Sequence, residues 1–190
     1  GFAIAYSGPS SYKVLNEKGH VIFEIDSGYI YNFSDGLAAF TRTDSSGNML
    51  YGFIDTQGNV VIEPRYLYVN PFKDGKALVQ LEQEKYALIN KKGEVINTFN
   101  YYSVGNLSEG LMSFRDGIDG KFGYIDEAGK VVIKPQFLEA GEFKDGIAVV
   151  NASEDYIKNK YGVIDKNGKY IIEAKYNSVE RLGEKMLAVG

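Results

Sequence analysis

The stretch Tyr51–Val79, YGFIDTQGNVVIEPRYLYVNPFKDGKALV, decides the fold because it returns at Phe122–Val150 as FGYIDEAGKVVIKPQFLEAGEFKDGIAVV. The two segments are identical at 15 of 29 positions without a gap. Such self-similarity is the sequence signature of a repeat architecture, in which each copy is one supersecondary unit that packs on its neighbours. The chain is therefore predicted to be an array of related units.

Five copies follow one another when the sequence is aligned on the aromatic residue that leads each copy. These lead aromatics are Tyr12, Tyr51, Tyr86, Phe122 and Tyr161, and they give a period of 35–39 residues. A Gly lies seven residues after each of them, and a second Gly follows after 17 further residues, or 15 in the last copy. Residues 1–6 match the end of a copy, so they are predicted to be the last strand of a preceding copy. The chain is then expected to be a fragment of a longer array.

Each copy has the pattern of antiparallel strands. Runs such as YGFID are rich in aromatic and β-branched residues, and each ends in Asp or Asn three residues before a Gly, which is typical of a hairpin turn. A second strand follows, which Pro64 and Pro135 are predicted to end because proline has no N–H to donate. A short connection then passes a second apolar anchor, such as Phe72 or Leu182, and an Asp-Gly or Glu-Gly turn opens a final strand, which in the last copy is Met186–Val189.

The predicted fold is all-β, with tandem antiparallel β-meander repeats of three to four strands in an open, solenoid-like or propeller-like array. Residues 1–190 are predicted to form a single domain. No segment has the period of a helix.

Composition restricts the classes of partner. The chain is 44% apolar and 24% charged, its net charge is −4, and its Lys and Arg residues are scattered. Nucleic-acid binding depends on clustered cations that neutralise phosphates, so this partner is not expected. The apolar runs are far shorter than the roughly 20 residues that span a bilayer, so no membrane span is expected.

No catalytic, cofactor or metal site is predicted. The five equivalent Asp or Asn residues suggest a ring of cation ligands, but each is better explained as the cap of its own turn, which bonds a nearby backbone N–H. The chain has no Cys and one His, His20, which leaves little material for nucleophilic catalysis. The protein is therefore expected not to be an enzyme.

The aromatic residues have two interpretations. Those at fixed repeat positions are predicted to be buried between neighbouring copies. Tyrosines outside this frame are better candidates for exposed contacts, because tyrosine suits sites where one end is buried and the other is wet. These are Tyr6, Tyr29, Tyr68, Tyr102 and Tyr156.

Nearly all differences in length between copies fall between the second Gly and the next lead aromatic, at Ala5–Ser11, Thr41–Leu50, Gln80–Lys85, Arg115–Lys121 and Asn151–Lys160. In repeat arrays such insertions lie on one face, which is often the binding face. The predicted partner-binding residues within them are Arg42, Asp44, Asn48, Arg115, Asp119, Glu154, Asp155 and Tyr156.

The unit YGFID-xx-G-x-VVIxPxY…F-x-DG-x-A-x-V resembles the bacterial WG repeat, also called the KWG repeat, over essentially the whole chain. Tyr or Phe stands where the family has Trp. The resemblance implies a bacterial protein, commonly exported or associated with the cell envelope, without an agreed enzymatic activity. The expected function is a binding or spacer module for another protein or an envelope component. The alternative is a carbohydrate-binding module that uses the exposed tyrosines.

Overall fold

The structure is a computed structural model that describes residues 1–9, 11–183 and 187–190. The described residues contain strands and turns and no helix, as the sequence predicts. They divide into two compact units, Gly1–Thr98 and Phe99–Gly190. That the whole chain folds as a single domain stays a prediction.

The first unit contains three antiparallel sheets. Sheet A has strands β1 (Ala3–Gly8), β2 (Ser11–Leu15) and β3 (Val21–Ile25). Sheet B has β4 (Ile30–Ser34), β5 (Leu37–Thr43), β6 (Met49–Asp55) and β7 (Val60–Tyr66). Sheet C has β8 (Tyr68–Val69), β9 (Lys76–Glu82), β10 (Lys85–Asn90) and β11 (Val95–Phe99), whose last residue belongs to the second unit.

The second unit continues the series. Sheet D has β12 (Ser103–Val104), β13 (Leu111–Arg115), β14 (Phe122–Asp126) and β15 (Val131–Phe137). Sheet E has β16 (Glu139–Ala140), β17 (Ile147–Asn151), β18 (Tyr161–Asp165) and β19 (Tyr170–Tyr176). Sheet F has β20 (Val179–Arg181) and β21 (Leu187–Val189), while Met186, predicted to open this last strand, lies outside the described residues.

Each four-stranded sheet combines parts of two copies. Sheet B, for example, takes β4 and β5 from the end of one copy and the hairpin β6–β7 from the beginning of the next. Strand β1 pairs with β2 in the same way as β5 pairs with β6, and that residues 1–6 end a preceding copy stays a prediction. Meanders of four antiparallel strands in series are the blades of β-propellers, so the repeat is propeller-like.

The hairpin turns form as predicted. In all five copies the side-chain oxygen of the Asp or Asn accepts bonds from the backbone N–H groups two and four residues later, at 2.8–3.0 Å. Gly58 has a φ of 89°, which suits the left-handed position of such a turn. The turn-capping interpretation of these residues is confirmed.

Pro64 and Pro135 do not end their strands, contrary to the prediction. Strand β7 continues to Tyr66 and β15 to Phe137, each two residues beyond the proline. Both are edge strands, and the register with the neighbouring strand shifts at the proline, where a bulge removes the need for its N–H. Gly123 lies opposite this bulge, and a Cβ there would come within 2.5 Å of the Ile133 carbonyl oxygen.

Apolar cores lie between successive sheets within each unit. Phe53 and Phe72 from sheet B and the connection to sheet C are both fully buried and contact each other at 4.7 Å between ring centroids. In the second unit Tyr124 and Phe143 make the corresponding contact at 4.9 Å. Leu182, predicted to be an apolar anchor, is instead exposed, since it follows the short strand β20.

Candidate functional site

Equivalent residues form a row across one end of each sheet, at the end that carries the β5–β6, β9–β10, β13–β14 and β17–β18 connections. We call this the loop end. In sheet B, Thr41 pairs with the lead aromatic Tyr51 and its N–H donates to the Tyr29 carbonyl at 2.9 Å. The residues equivalent to Tyr29 and Thr41 are Tyr68 and Gln80 in sheet C, Ser103 and Arg115 in sheet D, and Glu139 and Asn151 in sheet E. The backbone geometry repeats while the side chains differ, so copies specialise here.

At the loop end of the first unit, six tyrosines are connected by ring contacts in two groups of three, and we call them the tyrosine strip: Tyr6, Tyr12, Tyr29, Tyr31, Tyr51 and Tyr68. The ring centroids are 5.6 and 6.1 Å apart within the first three and 6.0 Å apart at both contacts within the last three. The exposed fractions of Tyr6, Tyr29, Tyr31 and Tyr68 are 66%, 46%, 45% and 52%. The strip is therefore an accessible aromatic surface.

A cleft of about 180 Å³ opens between sheets B and C at the second half of the strip. Its lining comprises Tyr31, Asn32, Leu37, Ala39, Tyr51, Tyr68, Val69 and Pro71. The floor is apolar, the walls are tyrosine rings, and none of these lining residues carries a charge at neutral pH. Such a cleft fits the general description of a small ligand site, which is mostly apolar with a few polar groups.

The Tyr31 and Tyr51 rings contact each other, with 6.0 Å between their centroids. The Tyr51 side chain as a hydrogen-bond partner, together with burial and the nearby hydroxyls of Tyr68 and Tyr29, raises the pKa of Tyr31 to about 12. The hydroxyl therefore remains protonated throughout the neutral range and is available as a donor or acceptor.

Three predicted site residues lie on the β5–β6 hairpin of the first unit. The Thr41–Leu50 segment is mostly an extension of the two strands, because Thr43 pairs with Met49 and only Asp44–Asn48 form the loop. The Asp44 carboxylate accepts bonds from the backbone N–H groups of Ser46 and Asn48 and from the Asn48 amide, which lowers the pKa of Asp44. These two side chains therefore organise their own turn.

Arg42 lies beside this hairpin and is paired. Its guanidinium contacts the Glu63 carboxylate at 3.1 Å and lies 5.7 Å from the centre of the Phe40 ring. It also lines a second cleft, together with Glu24 and Asp26 among others. Since Arg42 and Glu63 are largely exposed, this ion pair is easily exchanged for contacts with a ligand.

Arg115 is held between two aromatic rings in the second unit. Its Cζ is 5.0 Å from the ring centres of both Tyr102 and Phe122, and its Nη1 donates to the Ile118 carbonyl at 2.9 Å. Tyr102, predicted to be exposed, is half-buried because of this stacking. Asp119 is exposed on the same loop.

The Asn151–Lys160 loop is built around the buried Asn151 side chain. Its Oδ1 accepts from the Ser153 and Lys160 N–H groups, both at 3.1 Å, and its Nδ2 lies 3.2 Å from the Asn159 Oδ1. The Asp155 carboxylate caps the tip by accepting from the Ile157 N–H at 2.9 Å. The base of the loop is therefore rigidly bonded while its tip faces solvent.

The structure brings the two predicted loops of the second unit together. Lys121 at the end of one loop forms an ion pair with Glu154 on the other, with 3.2 Å between Nζ and Oε2. The exposed fractions at the loop tips are 66% for Ile118, 75% for Tyr156 and 91% for Ile157. We call these three residues the loop-tip patch.

Sequence reasoning missed five residues of these surfaces: Tyr12, Tyr31, Tyr51, Ile118 and Ile157. The two isoleucines lie in the polar insertions, where an apolar residue could have been recognised as a candidate contact. Tyr12 and Tyr51 were assigned to the core as lead aromatics, but both are half-buried at the loop end. Of the five tyrosines predicted to be exposed, Tyr6, Tyr29, Tyr68 and Tyr156 are confirmed.

Two searches of the described part of the chain concern other kinds of site. No group of three or more His, Cys, Asp and Glu residues there is placed to hold a metal ion. None of the described segments is a helix of the length and hydropathy that crossing a membrane requires.

Comparison with known proteins finds one family and several similar structures. The family described as WG containing repeat matches residues 14–42, 51–86, 86–117, 122–152 and 161–189. The crystal structure of BamB from Moraxella catarrhalis matches with a TM-score of 0.57 at 13% identity, over 92% of this chain and 62% of that one. The computationally designed Ika8 protein matches with a TM-score of 0.53 at 11% identity, over 98% of this chain and 66% of that one.

The chain therefore spans less than two thirds of the length of these two structures. At such identities the similarity concerns the fold alone. No curated protein sequence matches the chain.

Proposed function

The chain belongs to the WG-containing repeat family, and from that premise we propose that it is a non-catalytic binding module of a bacterial protein that is exported or associated with the cell envelope. Its partner is another protein, held at the loop end of the second unit. The bacterial source and the export are expectations carried over from the family resemblance.

The observation that supports a protein partner is the loop-tip patch. Ile118, Tyr156 and Ile157 expose apolar side chains at the tips of two loops that the Lys121–Glu154 ion pair holds together. Large exposed apolar side chains surrounded by polar residues mark interaction surfaces. Aromatic residues at such positions are common anchors of protein interfaces.

The base of the Asn151–Lys160 loop supports the same interpretation. The buried Asn151 and Ser153 side chains fix the loop before a partner arrives, since the Ser153 hydroxyl also donates to the Lys158 carbonyl. A loop that is ordered in advance loses less conformational entropy on binding. The loop therefore combines a fixed base with an accessible tip.

The test is affinity capture followed by a loop-tip variant. The immobilised chain is exposed to an extract of the source bacterium, and captured proteins are identified and titrated individually. The double variant Tyr156→Ser with Ile157→Ser should weaken binding of a captured partner by at least tenfold. Ile171→Ser, an equally apolar change at an exposed position of β19 away from the loop end, is the matched control. Unchanged affinity of the double variant would contradict the proposal.

A second candidate function is carbohydrate binding, which the tyrosine strip favours. Its six rings offer flat apolar faces with a hydroxyl at each edge, and four of them are substantially exposed. Tyrosine suits surfaces that are partly apolar and partly wet. A glycan array probed with the same chain tests this candidate, and the absence of any bound glycan would exclude it.

A further inference from the structure

We propose that the cleft formed by Tyr31, Tyr51 and Tyr68 is a subsite for one ring of a neutral oligosaccharide, whose neighbouring rings lie along the tyrosine strip. This inference rests on the second candidate function and specifies its site and its ligand. It is independent of the loop-tip patch, which lies in the other unit.

The size of the cleft suits a single ring. Its volume of about 180 Å³ accommodates one small cyclic group, and the cleft is open to solvent, so further rings of a ligand would extend beyond it. The tyrosine strip continues beyond it, because Tyr29 and Tyr31 lie two residues apart at the start of β4, and alternate residues of an extended segment share a face. The rings of each half are 5.6–6.1 Å apart and inclined to each other by 33–65°, so the strip offers ring edges as well as faces to a ligand that extends from the cleft.

The absence of charge in the cleft lining selects a neutral ligand. Eight residues line the cleft, and their only polar side-chain groups are three phenolic hydroxyls and the Asn32 amide. A carboxylate, phosphate or ammonium group entering this site would lose hydration without gaining an opposite charge. The phenol and amide groups instead suit neutral hydroxyls, which both donate and accept.

The choice of tyrosine distinguishes this surface from the core. The chain has 11 Phe and 15 Tyr, and the buried ring contacts Phe53–Phe72 and Tyr124–Phe143 involve Phe, whereas the four ring contacts of the strip each join two tyrosines. A surface that only needed to be apolar would accept Phe equally well. A sugar ring has an apolar C–H face and polar hydroxyls at its edge, which matches a tyrosine face and its hydroxyl.

Ring contact between Tyr31 and Tyr51 forms two walls of the cleft. The two rings are 6.0 Å apart and inclined by 33°, so each ring limits the rotation of the other. Both hydroxyls can donate to a ligand or accept from it. Holding the rings in place before binding reduces the entropy that a weakly bound sugar must offset.

The second unit lacks the same aromatic set, which argues against a general packing role. The row position of Tyr68 is occupied by Ser103 in sheet D and Glu139 in sheet E. Tyr31 follows Ile30, whose pairing position is held by Val104 in sheet D and by Ala140 in sheet E. The residues equivalent to Tyr31 are therefore Gly105 and Gly141. Sheets of the same topology thus form without these rings, so the rings are available for a different role.

The experiment is calorimetric titration of the full chain with neutral oligosaccharides: cellohexaose, xylohexaose, laminarihexaose and chitohexaose. An oligogalacturonate serves as the anionic probe and a proline-rich decapeptide as the extended-peptide probe. At least one neutral oligosaccharide should bind. Tyr31→Ala and Tyr68→Ala should each weaken that binding by about tenfold, which corresponds to the loss of one stacked ring.

The matched control is Tyr156→Ala, which removes an exposed tyrosine from the other unit and should leave sugar binding unchanged. Tyr31→Phe keeps the ring and removes the hydroxyl, so it should weaken binding less than Tyr31→Ala. Thermal melts of each variant confirm that it folds.

The inference is overturned if no neutral oligosaccharide binds, if the Tyr31 and Tyr68 variants bind as the parent does, or if the anionic or peptide probe alone binds. None of these results affects the protein partner proposed for the loop-tip patch. That proposal fails separately, when the Tyr156 and Ile157 double variant retains its captured partner.

Discussion

The Asp35 carboxylate accepts a hydrogen bond from the backbone N–H of Gly75, with 2.7 Å between Oδ2 and N, and so joins the β4–β5 turn of sheet B to the β8–β9 turn of sheet C. The second unit repeats this bond between Glu109 and Gly146, at 2.9 Å. A lysine strengthens each turn, since Lys91 donates to the Asp35 carbonyl and Lys166 to the Glu109 carbonyl. The bond therefore joins successive sheets in both units.

This bond predicts an asymmetry between two aspartates in equivalent turns. Asp35 and Asp74 have φ values of 53° and 51°, and each precedes a Gly in a two-residue hairpin turn. Asp35→Ala should lower the free energy of unfolding by about 1 kcal/mol more than Asp74→Ala, because only Asp35 loses a hydrogen bond to the neighbouring turn and an ion pair with Lys91. Denaturant unfolding of both variants measures this difference.

Asp74 is the matched control because its carboxylate has no hydrogen-bond partner among the described residues, while its backbone strain is the same. Asp35→Asn keeps an acceptor and should retain most of the stability. Equal losses for the two alanine variants would show that the turn conformation, and not the bond to Gly75, explains the effect.

The second prediction concerns the Gly that follows the lead aromatic. Gly123→Ala should destabilise the protein by about 2 kcal/mol, since its Cβ would approach the Ile133 carbonyl oxygen to 2.5 Å and the Pro135 nitrogen to 2.7 Å. Gly117→Ala is the control, because a Cβ there meets no atom within 4 Å. Thermal melting of the two variants compares them, and similar melting temperatures would contradict the close approach.

These contacts show what the sequence could and could not predict. Hairpins such as Tyr51–Ile62 were predictable because local turn chemistry determines them: an Asp or Asn cap and a Gly at positive φ. Pro64 was misassigned because a proline is compatible with a strand at an edge bulge, and the edge position depends on which strands meet. Each sheet takes its strands from two successive copies, so the sequence of a single copy does not show which strand lies at the edge.

The candidate site was partly predictable for the same reason. Four exposed tyrosines outside the repeat frame, Tyr6, Tyr29, Tyr68 and Tyr156, were found, since the frame itself identifies the residues that vary. The tyrosine strip was not, because Tyr29, Thr41 and Tyr51 become neighbours only when the end of one copy pairs with the start of the next. Tyr29 and Thr41 are 12 residues apart along the chain, and nothing in the sequence indicates that they pair.

The third prediction concerns alkaline pH. Burial raises the pKa of Tyr124, whose hydroxyl donates to the Gly141 carbonyl at 2.7 Å. In the unfolded chain this hydroxyl ionises near pH 10, so the unfolded state releases its proton first as the pH rises. The stabilising contribution of Tyr124 is therefore complete below about pH 10 and decreases above it, by up to about 1.4 kcal/mol per pH unit.

Tyr124→Phe should accordingly be less stable than the parent at pH 8, because it loses the bond to Gly141, and should lose less stability between pH 10 and 12. Urea unfolding at each pH measures both effects. Tyr156→Phe changes an exposed tyrosine and should follow the parent. Parallel pH profiles for the Tyr124 variant and the parent would show that this hydroxyl does not control alkaline stability.

The last prediction concerns the base of the loop that carries the patch. The Asn151 amide Nδ2 donates to Asn159 Oδ1 at 3.2 Å and lies 3.4 Å from the Glu139 Oε1. The Glu139 carboxylate also accepts from the Tyr161 hydroxyl at 2.7 Å, which raises the pKa of Tyr161. Asn151→Asp therefore places a buried carboxylate against two oxygen acceptors.

Both burial and the negative charge of Glu139 raise the pKa of the introduced carboxyl above its unfolded value of about 3.9. Its protonated form can still donate a hydrogen bond, so the cost of Asn151→Asp is smallest below about pH 4 and increases as the carboxyl ionises. At pH 8 we expect a loss of about 3 kcal/mol. Asn151→Ala should lose about 2 kcal/mol at either pH, because it leaves the Ser153 and Lys160 N–H groups without their acceptor. Unfolding at pH 4 and pH 8 separates the two variants: the penalty of Asn151→Asp must increase with pH relative to that of Asn151→Ala, and a constant difference would mean that Nδ2 does not face the Glu139 carboxylate.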